Sequence, residues 1–290
     1  MRILILGASG MLGNAMYRLL SQRDWLEVFA TARSESVRHF FPKSLSANLM
    51  PGVDVENHDS LERVLAKAKP QVVVNCVGLV KQMADAEDPL QALPINAMLP
   101  HRLARLCELT EARLVHISTD CVFSGSKGNY RESDQSDATD LYGKSKFIGE
   151  VDRPHAITLR TSIIGHELAG NHSLVGWFLA QKAKTKGYTR AIFSGLPTVE
   201  LSRVVCDVVL TRPALSGLYH VAAEPIAKFD LLKIIAAAYR KDISIEADDS
   251  VVIDRSLNAD RFRDATGYVA PAWHELIERM RDFQLEKNYV

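Results

Sequence analysis

The sequence lacks a net charge, an apolar run long enough to cross a membrane, and cysteine pairs spaced for a metal. Its 290 residues carry 35 basic and 35 acidic side chains, so no global field favours nucleic acid or an anionic membrane as a partner. The apolar stretch at residues 3–6 runs directly into glycine and is too short for a signal peptide or a bilayer span. We therefore expect a cytoplasmic protein with reduced thiols and no bound metal, since the cysteines are scattered at Cys76, Cys107, Cys121 and Cys206.

Up to Arg160 the chain alternates short apolar runs with amphipathic helical segments. The apolar runs lack strict alternation, as in parallel strands covered by helices on both faces, and they lie at residues 3–6, 28–31, 72–77, 114–118 and 157–159. Helical segments at residues 11–20, 60–67, 103–109 and 141–151 lie between them. This alternation predicts an α/β fold, a Rossmann-type doubly wound parallel sheet.

The segment from residue 58 to residue 69 shows the helix pattern in detail. Either Asp59 or Ser60 is the expected N-cap, and Pro70 is expected to end the helix. The apolar positions fall on one helical face and are Leu61, Val64, Leu65 and Ala68.

Beyond Arg160 the pattern becomes less regular, without a linker or an internal repeat. It predicts helices at residues 174–183, 201–210, 228–239 and 273–286, strands near 191–197 and 217–221, and a basic turn at 182–190. We expect a larger unit at residues 1–165, with a return segment near 198–223, and a smaller C-terminal α/β lobe at 166–290 packed against it.

A glycine turn follows the first predicted strand and opens the first predicted helix. The spacing is G-x-x-G-x-x-G: Gly7 suits the tight turn, Gly10 lets the backbone approach a pyrophosphate, and Gly13 lets the helix pack closely on the sheet. Amides at the start of a helix bind phosphate. We therefore expect an NAD(P)-binding unit in which the diphosphate contacts Gly7, Ser9, Gly10, Met11, Leu12 and Gly13.

Three further positions are expected to surround the dinucleotide. Arg33 and Ser34 follow the second strand, where a cation and a hydroxyl suit a 2′-phosphate, so NADP(H) is preferred and NAD(H) stays open. The alternative is that Arg33 is merely solvated. Asp54 and Val55 are candidates for the adenine, unless Asp54 is an ordinary turn residue. A small-residue corner to admit the cofactor is formed by Cys76, Val77 and Gly78.

A catalytic set is indicated by Thr119, Tyr142 and Lys146. Tyr142 and Lys146 are four residues apart on one helical face, and Thr119 ends a predicted strand, where active-site groups emerge in doubly wound sheets. Lys146 and a nicotinamide cation would lower the phenol's pKa, so that Tyr142 exchanges a proton with a substrate carbonyl held by Thr119. Both side chains would also lie against the cofactor. The alternative is a packing tyrosine beside a solvated lysine.

These motifs resemble the extended short-chain dehydrogenase/reductase superfamily, and within it the dTDP-4-dehydrorhamnose reductase branch. The similar segments span nearly the whole chain: Gly7–Gly13, Val74–Gly78, Ile95–Ala97, His116–Phe123, Tyr142–Glu150, Leu159–Ser162, Gly195–Thr198, Arg255–Asn258 and Pro271–Trp273. The resemblance implies that NAD(P)H reduces a nucleoside-diphosphate 4-keto-6-deoxyhexose to a 6-deoxy sugar for a surface polysaccharide. It also implies that Asp120 contacts a sugar hydroxyl.

The chain departs from that branch near the sugar. Cys121 stands where the branch commonly has tyrosine, Ile163 where it commonly has tryptophan, and residues 79–82 replace a smaller Ala/Thr-rich corner. A UDP-N-acetylamino-6-deoxy-4-ketohexose is therefore an alternative substrate to the dTDP sugar. Lys81 would then meet an N-acetyl group, a phosphate or only water.

The remaining substrate candidates lie in the C-terminal lobe. Arg255 is expected to pair with the nucleotide diphosphate, and Asn171, Trp177 and Thr198 to line the pocket, although a tryptophan at helical spacing also suits a core. Two other functions stay open: a nucleotide-sugar epimerase with tightly bound NAD, and a non-catalytic dinucleotide-binding regulatory subunit. The sequence is also compatible with a homodimer.

Overall fold

A seven-stranded parallel sheet organises the chain, of which the computed structural model describes residues 1–80 and 87–286. The strands are β1 (Arg2–Leu6), β2 (Glu27–Thr31), β3 (Leu49–Met50), β4 (Val72–Asn75), β5 (Arg113–Thr119), β6 (Ala156–Thr161) and β11 (Gly217–His220). Their order is β11-β6-β5-β4-β1-β2-β3, and every neighbouring pair is parallel. The strand order reverses between β1 and β4, where ligands bind in doubly wound sheets. The predicted fold class is confirmed.

Helices pack against both faces of this sheet and against the short strands outside it. They are α1 (Met11–Leu20), α2 (Lys43–Ser46), α3 (His58–Ala68), α4 (Pro89–Ala92), α5 (Leu99–Leu109), α6 (Leu141–Ile148), α7 (Leu174–Ala180), α8 (Thr198–Arg203), α9 (Lys228–Ala238), α10 (Asp260–Thr266) and α11 (Trp273–Glu286). Short 3₁₀ turns lie at Glu35–Phe40 and Asp120–Val122, and π-helical segments lie at Leu93–Met98 and Val204–Val209. Within residues 1–80 and 87–286, no helix combines the length and apolar character that a membrane crossing requires.

The pleat of the strands explains the continuous apolar runs. Ile3 and Ile5 belong to the core on one face of the sheet, whereas Leu4 and Leu6 belong to the core on the other. Because side chains alternate between two faces that are both dry, consecutive central positions of such a strand are apolar. Close packing on both faces of the sheet therefore fixes the positions of the carboxyl ends of these strands.

Seven short strands lie outside the main sheet. They are β7 (Ile163–Ile164), β8 (Lys184–Tyr188), β9 (Ala191–Phe193), β10 (Leu196–Pro197), β12 (Ile226–Ala227), β13 (Ser244–Asp248) and β14 (Ile253–Asp254). They form a three-stranded sheet, β12-β9-β14, and the pairs β10-β7 and β13-β8. The predicted basic turn at residues 182–190 is wrong, because strand β8 occupies its centre. The ammonium of Lys186 on β8 lies 3.0 Å from the Asp248 carboxylate on β13. One charge of this basic segment therefore forms an ion pair between neighbouring strands.

Local details around α3 also differ from the prediction. The N-cap is Asn57, whose side chain accepts a hydrogen bond from the Ser60 amide at 3.0 Å, and neither Asp59 nor Ser60 caps the helix. Lys69 ends the helix in a left-handed conformation at φ 44°. The strand β3, before this helix, has only two residues, too few to produce a sequence pattern.

We expect Asn57→Ala to lower the free energy of unfolding by about 1 kcal/mol, because a first-turn amide loses its side-chain acceptor. Urea denaturation followed by circular dichroism measures the change, with Asp59→Ala as the control. Asp59 makes no cap hydrogen bond, so its variant should lose only a few tenths of that value. Equal losses in the two variants would contradict the assignment of the cap.

Candidate active site

The glycine turn between β1 and α1 forms a cradle at the switch point of the sheet. Gly7 has φ +92°, and a Cβ added to Gly13 would lie 2.0 Å from the Gly7 carbonyl oxygen. Gly10 is the N-cap of α1 and provides no side-chain cap, so the first-turn amides have no acceptor within the helix. Ser9 and Gly10 are exposed and Met11 is half-buried, whereas Leu12 and Gly13 are buried. This backbone fits a dinucleotide diphosphate, because only its glycines leave space for the close approach.

Asn14 supports the cradle, although the sequence analysis assigned it no role. Its buried amide donates to the Gly10 carbonyl at 3.2 Å and to the Met11 carbonyl at 2.9 Å. Because a polar residue on an apolar helix face has no distinctive spacing, the sequence alone does not show this function. The two bonds fix the turn on which the diphosphate would rest.

The proposed 2′-phosphate residues follow β2 at the edge of the cradle. Arg33 is exposed and has no hydrogen bond or ion pair with any residue that the structure describes, so its guanidinium is available to a ligand. Ser34 caps the 3₁₀ turn at Glu35–Phe40 by accepting from the Ser36 amide at 3.2 Å. The β2 strand ends at Thr31, before Arg33, which places Arg33 in the loop rather than in the strand.

Asp54 has the turn role that the sequence left open. Its Oδ1 accepts from the Glu56 amide at 2.9 Å, and its own amide donates to the Ser60 hydroxyl at 3.2 Å. The carboxylate is nevertheless exposed, and Val55 is half-buried against the core beneath it. A role beside the adenine therefore stays a prediction for both residues.

The corner at residues 76–78 brings the cradle next to the predicted catalytic lysine. Asn75, fully buried at the end of β4, accepts from the Val77 amide at 3.1 Å and so fixes the corner. A Cβ added to Gly78 would lie 3.4 Å from Asn96 Oδ1 and 3.9 Å from Lys146 Nζ. Burial raises the pKa of the Cys76 thiol to about 12, which makes it a packing group rather than a nucleophile.

The catalytic candidates come from two elements that dock tightly. Thr119 is the last residue of β5, and Tyr142 and Lys146 lie on α6, which Asp140 caps through the Gly143 amide at 2.7 Å. A Cβ added to Gly143 would lie 2.2 Å from the Cys121 carbonyl oxygen. Only glycine at that position allows α6 to press against the turn that follows β5.

Lys146 is buried, and its ammonium is directed into the sheet. It is 5% exposed, and Nζ donates to the Ile117 carbonyl oxygen at 2.8 Å. Burial lowers the pKa of Lys146 to about 8, with the charge of Glu150 acting in the opposite sense. The side chain therefore carries its positive charge at neutral pH. The alternative that Lys146 is exposed to solvent is therefore wrong.

Tyr142 has a less acidic phenol than the sequence predicted. Burial raises its pKa well above the ordinary value, the nearby acidic groups raise it further, and hydrogen bonding by the Thr119 hydroxyl lowers it. The net effect of the protein's groups on this pKa is therefore upward, and the Lys146 ammonium donates its hydrogen bond to the Ile117 carbonyl. The protein's own groups therefore keep Tyr142 protonated, which suits a proton donor.

Thr119 and Asp120 form a short polar turn facing the same region. The Thr119 hydroxyl donates to the Asp120 carboxylate at 3.2 Å and accepts from the Cys121 amide at 3.2 Å. Asp120 is only 8% exposed, and burial raises its pKa, with the charges of Arg255 and Lys228 opposing that shift. Lys228, which the sequence analysis did not select, is thus part of the electrostatic surroundings of this turn.

Arg255 reaches the turn from the C-terminal half of the chain. Its Nε donates to the Phe123 carbonyl oxygen at 2.8 Å, and one terminal nitrogen lies 3.9 Å from the Cys121 sulfur. Burial raises the pKa of the Cys121 thiol to about 12. The structure therefore brings Arg255 together with Thr119 and Asp120. Part of its guanidinium already contacts protein atoms of Phe123 and Cys121.

The other substrate candidates are dispersed. Thr198 is buried where α8 begins, and a Cβ on Gly165 would lie 2.5 Å from its hydroxyl oxygen, so its observed contacts are packing contacts. Asn171 is exposed before α7, and Trp177 on α7 is 39% exposed, so the core alternative for Trp177 is wrong. Lys81 lies outside the described residues. Within the described ranges, no three His, Cys, Asp or Glu side chains are grouped to hold a metal ion.

Comparison with known proteins identifies the family. The chain matches the family described as the RmlD substrate binding domain over residues 1–281. It belongs to this family. Membership places it in the extended short-chain dehydrogenase/reductase superfamily, among proteins similar to dTDP-4-dehydrorhamnose reductase.

The proteins that are similar to this chain include reductases and a subunit of a transferase. A dTDP-4-dehydrorhamnose reductase from Aggregatibacter actinomycetemcomitans is 27% identical over 234 residues, covering 77% of this chain and 74% of the relative. The methionine adenosyltransferase 2 subunit beta from Bos taurus is 32% identical over 262 residues, covering 82% and 72%. A dTDP-4-dehydrorhamnose reductase from Bacillus anthracis, solved in complex with NADP, shares the fold with a TM-score of 0.77 at 22% identity, covering 97% and 98%.

The burial of Lys146 predicts a stability effect that depends on pH. The folded-state pKa of about 8 lies below the ordinary lysine pKa of 10.5, so the cost of burying the charge is fully present at pH 7. Each pKa unit corresponds to about 1.4 kcal/mol. Between pH 8 and 10.5 the unfolded chain binds more protons, so stability rises with pH there and the cost disappears.

We therefore expect Lys146→Met to raise the free energy of unfolding at pH 7, and this gain to shrink as the pH rises towards 10.5. Urea unfolding at a series of pH values measures it. Lys144→Met, on an exposed position of the same helix, is the control and should show no such pH-dependent difference. A lower stability of Lys146→Met at pH 7 would show that its bond to Ile117 outweighs the cost of burial.

Proposed function

We propose that this protein is an NAD(P)H-dependent reductase of a nucleoside-diphosphate 4-keto-6-deoxyhexose. The observation that carries the proposal is the buried Lys146 ammonium beside the glycine cradle, one helical turn from Tyr142 and bound to the strand that ends in Thr119. A non-catalytic surface does not require a charged lysine at this cost in stability. The reductase relatives in the family support the same reaction.

The reaction divides between the dinucleotide and the chain. The glycine cradle would hold the diphosphate, and the dihydronicotinamide, when bound, supplies the hydride. Tyr142 donates its phenolic proton to the ketone oxygen, while the Thr119 hydroxyl hydrogen-bonds the same oxygen. The ammonium of Lys146 stabilises the negative charge that develops on the phenol. The carbonyl carbon gains a hydride and its oxygen gains a proton, which gives the alcohol.

The sugar and its nucleotide form the finer part of the proposal. Asp120 would accept from a sugar hydroxyl, and Arg255 with Lys228 nearby would attract the diphosphate. Cys121 offers a smaller side chain than the tyrosine common in the reductase branch, which supports a UDP-N-acetylamino-6-deoxy-4-ketohexose as the alternative to the dTDP sugar. The reaction would take place in the cytoplasm, and its product would be used to build a surface polysaccharide. A homodimer is compatible with this function.

A regulatory subunit is the second candidate function. The relative that favours it is the methionine adenosyltransferase 2 subunit beta from Bos taurus, which is 32% identical over 262 residues, against 27% over 234 residues for the reductase from Aggregatibacter. An epimerase that retains NAD is the third. Stoichiometric oxidation of NADPH by a panel of dTDP-, UDP- and GDP-4-keto-6-deoxy sugars separates the reductase from the other two, because only the reductase consumes the cofactor.

We expect Tyr142→Phe to lower kcat by about a hundredfold or more while dinucleotide binding stays within about twofold, because the phenolic proton is lost and the cradle is not. NADPH oxidation and fluorescence titration measure the two quantities. Tyr188→Phe, on strand β8, is the control and should retain wild-type turnover. Comparable turnover of Tyr142→Phe would rule out the phenol as the proton donor.

The free guanidinium at the cradle edge predicts the cofactor preference. Arg33→Ala should raise the KM for NADPH about tenfold or more and leave the KM for NADH nearly unchanged, because only the 2′-phosphate needs the cation. Steady-state kinetics with both cofactors measure the ratio. Arg63→Ala, on the exposed face of α3, is the control. Equal changes for NADPH and NADH would contradict recognition of the 2′-phosphate by Arg33.

A further inference from the structure

A buried ion pair lies directly behind the candidate active site. The guanidinium of Arg160 on β6 donates twice to the Glu150 carboxylate, both times at 2.6 Å. The Arg160 and Glu150 side chains are 2% and 10% exposed, respectively. Glu150 follows α6 immediately after its C-cap, Gly149. Two charges so far from water require a specific arrangement, because a pair of apolar side chains would fill the same space at lower cost.

The carboxylate also holds the catalytic strand. The Ser118 hydroxyl on β5 donates to Glu150 Oε1 at 2.7 Å. On the neighbouring residue of β5, the Ile117 carbonyl accepts from Lys146 at 2.8 Å. The helix segment carrying Tyr142 and Lys146 is therefore attached to two consecutive residues of the strand that ends in Thr119. These attachments fix the separation of Tyr142 from Thr119.

The guanidinium extends the same network towards the substrate side. Arg160 lies over the Phe123 ring at 5.2 Å, and Arg255 binds the Phe123 carbonyl at 2.8 Å. Arg160 also contacts His220 Nε2 at 3.3 Å, and the other imidazole nitrogen of His220 bonds the Tyr130 carbonyl at 3.0 Å. Burial and the charge of Arg160 lower the pKa of His220 to about 3, which leaves the imidazole neutral and able to accept.

We propose that Glu150 and Arg160 are positioning residues of the reaction, which set the helix of Tyr142 and Lys146 against Thr119 and align Arg255 with them. The pair touches neither the cofactor cradle nor the reacting atoms. Its effect is exerted through Ser118 and Phe123 and through the field of Glu150 at Lys146. The kinetic part of this proposal rests on the proposed reduction.

The first variant removes one charge and keeps the shape. Glu150→Gln should lower kcat by about tenfold to a hundredfold, because small displacements of reacting groups have effects of this size. The dissociation constant of NADPH should stay within about twofold. The Lys146 titration midpoint should fall below its wild-type value, because the Glu150 charge raises that pKa. Glu27→Gln, which breaks the exposed Arg2–Glu27 pair at the amino ends of β1 and β2, is the matched control.

The second variant separates positioning from stability. Glu150→Gln should lower the melting temperature, because it leaves the buried Arg160 charge unpaired, and Glu150→Leu/Arg160→Met, which removes both charges together, should restore it. The double variant should not restore kcat or the Lys146 midpoint, because the Ser118 bond and the carboxylate are still absent. Recovery of both to within about twofold and about 0.3 pH units of wild type would show that the pair is only structural and would overturn the proposal.

The Lys146 midpoint is measured by NMR on protein labelled at the lysine side chains, with Lys146→Met for assignment. This titration needs neither cofactor nor substrate. If the wild-type protein reduces no sugar of the panel, the proposed reaction fails, and the NMR result still decides the proposal. An unchanged Lys146 midpoint in Glu150→Gln would then overturn the coupling between Glu150 and Lys146.

Discussion

A lysine ammonium inside a protein needs an acceptor, and in this chain the acceptor is the carbonyl of Ile117 on a central strand. Strand β5 has neighbours on both sides, and its side chains are buried in the cores of both faces. Its backbone position is therefore fixed by the whole sheet rather than by a loop. The hydrogen bond to this strand fixes the position of Lys146. Because Tyr142 lies on the same helix, α6, its position relative to the strand is fixed as well.

This arrangement lowers stability at neutral pH. Burial brings the pKa of Lys146 down to about 8, so at pH 7 the folded chain retains a charge that water would solvate better. Selection for stability alone would place an apolar residue there. The Glu150 carboxylate compensates in part, and its own charge is compensated by Arg160. The charges of Lys146, Glu150 and Arg160 therefore alternate in sign from the active site into the core.

The sequence was sufficient where local pattern and backbone geometry determine structure. The bounds of α1 and α11 were predicted correctly because a glycine turn precedes the first and the apolar periodicity of the second is uninterrupted. Strand β8 was not predicted, because its partner β13 lies about sixty residues later and the charges that pair them resemble a solvated run. The cap Asn57 was missed by two residues, since Asn57, Asp59 and Ser60 are all good caps.

The same limit applies to the site. The spacing of Tyr142 and Lys146 indicates a shared helical face, but it gives no information on what the ammonium binds. Lys146 was expected to face the phenol and lower its pKa, whereas it is directed to Ile117 and the protein environment raises that pKa. Direction of a buried charge depends on the residues around it in three dimensions, and these come from β4, β5 and the segment after α6. A sequence motif names the reacting groups; their protonation states are a property of the packed structure.

The relatives of this chain include both a dTDP-4-dehydrorhamnose reductase and the methionine adenosyltransferase 2 subunit beta, which leaves the activity to be argued from the site. A subunit that only binds a dinucleotide needs the glycine cradle, since the backbone amides of the cradle bind the diphosphate. It gains nothing from a charged lysine behind the corner at residues 76–78 or from a carboxylate that keeps that lysine charged. Both features are present here, and at neutral pH the burial of the Lys146 charge lowers stability even with the Glu150 carboxylate nearby. The electrostatic cost, rather than the fold, is what favours catalysis in this chain.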